Sequence, residues 1–172
     1  MYSNLPSETG LNILNDEVKD NKNYTICGWG NWMDKALLNK VDNEGNTYSN
    51  IFVEASIIGL NGTIFSTYNF SAFNAKEIEN LNKIFNENSN SITSLVINNR
   101  KYQIINYKKG FSIDLLSANK GGTIAKTNLA FIVGIYDKNE FYRFKDNKFN
   151  QCLKVCNYVV EDCAKILIKQ NY

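Results

Sequence analysis

The chain has 172 residues, with 19 Lys and Arg against 17 Asp and Glu, 44% hydrophobic residues, one proline, four cysteines and no histidine. That length suits one domain with a real core plus a tail, and excludes a multidomain assembly. Without histidine there is no Ser-His-Asp triad, no Cys-His pair and no His-ligated metal, and neither Gly-rich phosphate motif occurs, so no catalytic residue, metal or cofactor is expected.

Residues 1–24 are polar, rich in Asn and Asp, and lack sustained periodicity. They read as a flexible extension, with the folded domain over 25–172. From Trp29 the period becomes helical: Trp29, Trp32, Met33, Ala36 and Leu37 fall at i, i+3, i+4, i+7 and i+8. The polar stretch Asp42–Asn50 ends that helix. Two strand candidates follow, Ile51–Gly59 and Thr63–Tyr68, joined by the turn Leu60-Asn61-Gly62. Asn74-Ala-Lys-Glu77 has the form of a capping box and opens a helix with Ile78, Leu81, Ile84 and Phe85 on one side.

Beyond the polar loop Asn86–Asn90 the strand signals come close together: Thr93–Ile97, Lys101–Asn106, Phe111–Leu115, Thr123–Thr127 and Leu129–Tyr136. Asn98-Asn99 marks a tight turn, and Gly121-Gly122 precedes the fourth of these strands. A charged, aromatic loop, Asp137–Lys148, leads to a terminal amphipathic helix whose apolar positions are Cys152, Cys156, Val159, Val160, Cys163, Ile166 and Leu167. Short strands with short links indicate an antiparallel meander, so the fold class is α+β. The three clustered cysteines share a helix face without a fourth ligand at suitable spacing, which favours buried free thiols over a metal site. The longest apolar run, Leu129–Tyr136, is far too short to span a bilayer, and the N-terminus has no signal pattern, so a cytoplasmic location is expected. Residues 101–172 carry twelve bases against six acids, a block able to attract an acidic protein surface or an anionic head group.

Several strings in this order resemble the profilin family. They are Cys27-Gly-Trp-Gly-Asn-Trp-Met-Asp34, Ala55–Phe65, Lys101-Tyr-Gln-Ile-Ile105, Phe111–Leu115, Gly121–Thr127, Gly134-Ile-Tyr-Asp137 and Cys156–Glu161. The resemblance covers about residues 27–172. It implies a non-enzymatic protein with a central antiparallel sheet, N- and C-terminal helices packed together on one face and a further helix on the other. It also implies a monomer that binds monomeric actin, regulating its polymerisation, and proline-rich ligands, with anionic phosphoinositide membranes as a further partner and no nucleic acid. The alternative is a polyproline- and phosphoinositide-binding adaptor that has lost actin binding.

Carried over by position, the polyproline groove comprises Trp29, Trp32, Phe65, Ile166, Leu167 and Tyr172. Prolines suit such a groove because they are already in the extended PPII form and their rings pack on aromatic faces. The actin face comprises Lys101, Gln103, Asn106, Leu116, Ala118, Lys126 and Lys154. The basic final third adds Lys108, Lys109, Lys145, Lys148, Lys165 and Lys169 as phosphoinositide candidates. The chain departs from the family at Ile166, where an aromatic or histidine is usual, and at Leu116 and Ala118, where many members are basic. Its N-terminal extension and its long Lys138–Val155 segment are further departures.

Overall fold

A computed structural model describes residues 28–87, 91–140 and 149–172. The first helix, α1, is a short α-helical stretch, Gly28–Trp32, which continues as a π-helical turn over Met33–Leu38. Two short strands follow, β1 (Asn39–Val41) and β2 (Thr47–Ser49), paired antiparallel as a hairpin of their own. The main sheet holds β3 (Glu54–Gly59), β4 (Ile64–Tyr68), β5 (Ser94–Ile97), β6 (Arg100–Lys108), β7 (Ser112–Ser117), β8 (Lys120–Lys126) and β9 (Ala130–Asp137). Helix α2 (Ala75–Asn86) lies between β4 and β5, and α3 (Phe149–Lys169) follows β9.

The seven strands run in the order β4-β3-β9-β8-β7-β6-β5, every neighbouring pair antiparallel. The alternating side chains of the central strands feed two cores. Ala55, Ile57, Ala125, Ile132 and Tyr136 pack with Trp32, Leu37, Cys156, Val160 and Leu167 of α1 and α3. Ile58, Ile113, Leu115, Ile124, Phe131, Val133 and Ile135 pack with Ile78, Leu81 and Ile84 of α2. The α+β arrangement expected from the sequence is therefore the one observed, with the two terminal helices sharing one face of the sheet.

Local signals explain most boundaries. The Asn74 side chain accepts a hydrogen bond from the Glu77 backbone N–H at 2.9 Å and caps α2. Asn98 and Asn99 both adopt positive φ, as a two-residue hairpin turn requires. In the β3–β4 turn only Gly62 does so.

Three expectations need correction. The stretch Asp42–Asn50 is not a plain loop after a helix: its flanks form the β1–β2 hairpin. Asp42 organises the turn, its carboxylate accepting from the backbone N–H groups of Glu44 and Asn46. Gly121 and Gly122 lie inside β8 rather than before it, because the Tyr136 hydroxyl occupies the place where a Cβ on Gly121 would sit. The third concerns Ile51–Gly59, whose first residues, Ile51 and Phe52, are buried coil and enter the strand only at Glu54. The expected flexible extension 1–24, and Cys27, lie outside the described residues.

Candidate functional site

Helix α3 has a different neighbour along each flank. At its C-terminal end the chain turns back on itself. Asn171 adopts positive φ, and the Tyr172 N–H donates to the Leu167 carbonyl at 3.0 Å. The Tyr172 carbonyl in turn accepts from Asn128 N–H at 3.0 Å, which pins the residue to the β8–β9 turn. Its ring meets Trp29 edge-on, with centroids 5.9 Å apart. Trp29 stacks on Phe65 at 4.9 Å and 23°. All three rings are half-buried, and Ile166 is half-buried beside them against the same core.

Phe65 reaches this position through a strand irregularity. The β3–β4 register shifts between Ile57 and Ile58, which pair with Ser66 and Ile64, so Phe65 is the extra residue of a bulge. The bulge re-aims the ring toward Trp29. A Cβ on Gly59 would lie 3.0 Å from the ring's Cζ, so glycine leaves the space that the ring fills.

Two expected groove residues are elsewhere. Trp32 and Leu167 are fully buried in the core between α1, α3 and the sheet. Residues three apart on a helix diverge by about 60°. With Trp29 at the edge, Trp32 therefore turns inward. Its indole Nε1 finds no hydrogen-bond partner among the described residues. Trp32 and Leu167 support the aromatic surface from beneath without forming part of it.

The opposite flank of α3 is polar. Asp114 of β7 is buried; its Oδ1 accepts from Thr123 Oγ1 at 2.8 Å and from Asn157 Nδ2 of α3 at 2.9 Å, and its Oδ2 from Asn106 Nδ2 at 2.9 Å. One turn along α3, the buried Glu161 accepts from Lys108 Nζ at 2.6 and 2.8 Å and from Ser112 Oγ at 2.6 Å. Burial pushes the Glu161 carboxyl up, but the Lys108 and Ser112 hydrogen bonds and the Lys108 charge outweigh it, and its pKa lies below the ordinary value. Of these, Asn106 and Lys108 are among the expected site residues, whereas Ser112, Asp114, Thr123, Asn157 and Glu161 are additions. Their signal is the polar Ser112 and Asp114 alternating inside a strand, opposite Asn157 and Glu161 four apart on a helix.

This flank carries most of the expected actin-face residues. Gln103 pairs with Leu116, and Asn106 with Asp114, so these side chains lie on the α3 side of the sheet, together with Lys101 two residues before Gln103. Lys154 is exposed on α3, one turn before Asn157. Ala118 is exposed at positive φ in the β7–β8 turn. Lys126 does not join them. It pairs with Phe131 of the α2-side core, while Thr123 and Ala125 turn toward α3, so strand alternation places Lys126 on the other face.

Of the phosphoinositide candidates, Lys108 and Lys165 converge on one carboxylate, Glu161, at 2.6 and 3.9 Å. Lys165 also lies 5.7 Å over the Phe111 ring. Lys109 and Lys169 are exposed, and Lys145 and Lys148 lie outside the described residues. Cys152, Cys156 and Cys163 are buried free thiols; burial pushes Cys163 up to about 12 and Cys156 higher still, so they are unreactive. No helix among the described residues is long and apolar enough to cross a membrane.

The profilin family model matches residues 27–172. Acanthamoeba castellanii profilin IA is a similar structure, with a TM-score of 0.57 and 22% identity, over 71% of this chain and 89% of that one. Acanthamoeba castellanii profilin II matches with a TM-score of 0.56 and 20% identity, over 71% and 89%. Schizosaccharomyces pombe profilin gives 0.55 and 18%, over 70% and 88%.

Proposed function

The chain belongs to the profilin family, a non-enzymatic family of actin-binding proteins, and on that premise we propose that it binds proline-rich ligands and actin monomers on opposite flanks of α3. The observation that carries the first half is the half-buried cluster Trp29–Phe65–Tyr172. Rings held by stacking lose little freedom when a ligand arrives, and the Trp29 N–H and Tyr172 O–H can donate to the carbonyls of a PPII chain. Ile166 borders the cluster with an aliphatic side chain, which leaves the three rings as the principal contacts.

For the actin monomer the supporting features are the exposed Lys101, Gln103 and Lys154 around Leu116, a mixed basic and apolar surface on a rigid sheet. Association with anionic lipid is a lesser property on this reading. Glu161 already offsets part of the charge of Lys108 and Lys165, so Lys109 and Lys169 remain the more available bases.

Titration with a polyproline peptide, followed by the indole N–H resonances, tests the first half. The Trp29 resonance is expected to move more than that of the buried Trp32. Trp29→Ala is expected to weaken binding by about 1–3 kcal/mol, as for an interface anchor, with stability nearly unchanged. No response at millimolar peptide overturns that half. For the second half, the protein is added to assembling actin: unchanged kinetics together with no complex on a native gel leaves a proline-rich-ligand adaptor that does not use actin.

A further inference from the structure

The β1–β2 hairpin adds a second aromatic surface to the same flank of α3. Tyr48 of β2 and Tyr158 of α3 have ring centroids 5.2 Å apart, and Tyr158 is 39% exposed. Three carboxylates surround them. Asp162 lies one turn along α3 from Tyr158 and pairs with the buried Lys40, whose ammonium stands 5.8 Å over the Tyr158 ring. Asp42 accepts from the Tyr48 hydroxyl at 3.2 Å, and Glu44 is exposed at the hairpin tip. Burial first, then Asp162, Asp42 and Glu44, hold the Tyr158 hydroxyl above its ordinary pKa, which places all three carboxylates within electrostatic reach of the ring. The only base on the described part of the hairpin is Lys40, and it is spent on Asp162. With Asp162 paired to Lys40, the patch is two tyrosine rings bordered on the hairpin side by Asp42 and the exposed Glu44.

We propose that this patch reads a basic residue flanking the proline run of the ligand, the arginine or lysine cation lying on the Tyr48–Tyr158 rings beside Glu44 and Asp42. The inference rests on the proline-rich ligand reading above. Along α3, Tyr158 and Ile166 are eight residues apart, about 12 Å of helix axis. A PPII chain advances about 3.1 Å per residue. An extended ligand seated on Trp29, Phe65 and Tyr172 therefore reaches the tyrosine pair about four to six residues further on. Charge complementarity selects the sign of the residue that arrives there, and the ring faces favour a cation over a neutral amide. The β1–β2 hairpin supplies Tyr48, Asp42 and Glu44, so ligand selection is built into the element that the sequence pattern concealed.

The test compares three peptides of equal proline content, flanked five residues from the prolines by arginine, glutamine or glutamate, with both N- and C-terminal placements. Against the wild-type chain, arginine in one of the two placements is expected to bind roughly three- to tenfold tighter than glutamine, and glutamate more weakly. The preference is expected to fall as salt is raised. Glu44→Gln and Tyr158→Ala are each expected to reduce the arginine preference while binding the glutamine peptide as wild type does. Trp29→Ala is expected to weaken all three peptides together. Equal binding of the three peptides to the wild-type chain overturns the inference and leaves the proline-rich reading intact, as does an arginine preference unchanged in both variants. Failure of every peptide to bind overturns both.

Discussion

The two flanks of α3 are built from opposite materials. On the Trp29 side the contacts are ring on ring, and no hydrogen bond is needed to place Phe65 against Trp29. On the Asp114 side the helix is held to the sheet by hydrogen bonds at 2.6–2.9 Å onto the buried carboxylates Asp114 and Glu161. An apolar contact tolerates small displacements and leaves ring faces able to take a ligand. A buried carboxylate with three donors tolerates none, because any lost partner leaves a desolvated group unpaired. The polar flank thus fixes the position of α3, and the aromatic flank uses that fixed position to present a surface.

The sharpest break of this comparison is beneath the surface. Trp32→Ala empties a fully buried site and is expected to cost about 3–5 kcal/mol of stability, read by chemical unfolding. Trp32→Phe is expected to cost far less, because the ring still fills most of the site and the indole N–H has no partner among the described residues to lose. On the polar flank, Asp114→Ala strands Asn106, Thr123 and Asn157 and is expected to destabilise by about 1–3 kcal/mol. Trp29→Ala, on the other flank, is expected to spare stability and weaken polyproline binding by about 1–3 kcal/mol. If Asp114→Ala unfolds at the wild-type midpoint, the polar flank does not fix the helix.

The acid response sharpens the contrast. Because the folded-state pKa of Glu161 is lowered, its contribution to stability is fully present above the unfolded value, about 4.3. That contribution is lost as pH falls through the lower folded value. Lys108→Ala removes the hydrogen bonds and charge that hold the carboxylate ionised, so acid unfolding is expected to begin at higher pH. Lys109→Ala is expected to leave the acid midpoint in place, measured by circular dichroism. The smallest expected effect is Gly59→Ala. Its methyl crowds the Phe65 ring, and a loss of a few-fold in polyproline affinity is expected, about 0.5–1 kcal/mol of strain transferred to one side chain.

Much of this fold is legible in the chain because its determinants are local. Asn74 announces the start of α2, Asn98-Asn99 the β5–β6 turn, and the unbroken apolar run of β9 a strand buried on both faces. The aromatic cluster was partly legible through the family resemblance, which placed Trp29, Phe65 and Tyr172 together. The resemblance also carries Trp32 into the groove, but three residues along a helix turn a side chain by about 60°, and burial decides which edge of that face meets water. The resemblance likewise carries Lys126 to the actin face, while the β8–β9 register sets its side chain on the α2 side; a position carried over from a family does not fix strand alternation until the register is known.

The sequence by itself determined the element order and the α+β class, which follow from patterns within a few residues; that α1 and α3 share one layer came only as an implication of the family resemblance. Tertiary structure alone decided the rest. Asp114 and Asn157 meet because β7 and α3 pack together 43 residues apart in the chain. Phe65 turns to Trp29 because a bulge adds one residue to β4. Lys40 finds Asp162 across 122 residues, and that pairing turns the polar stretch after α1 into a hairpin seated on the last helix. Each is a contact between groups whose local sequence is satisfied without it, so the chain carries its partners but not their pairing.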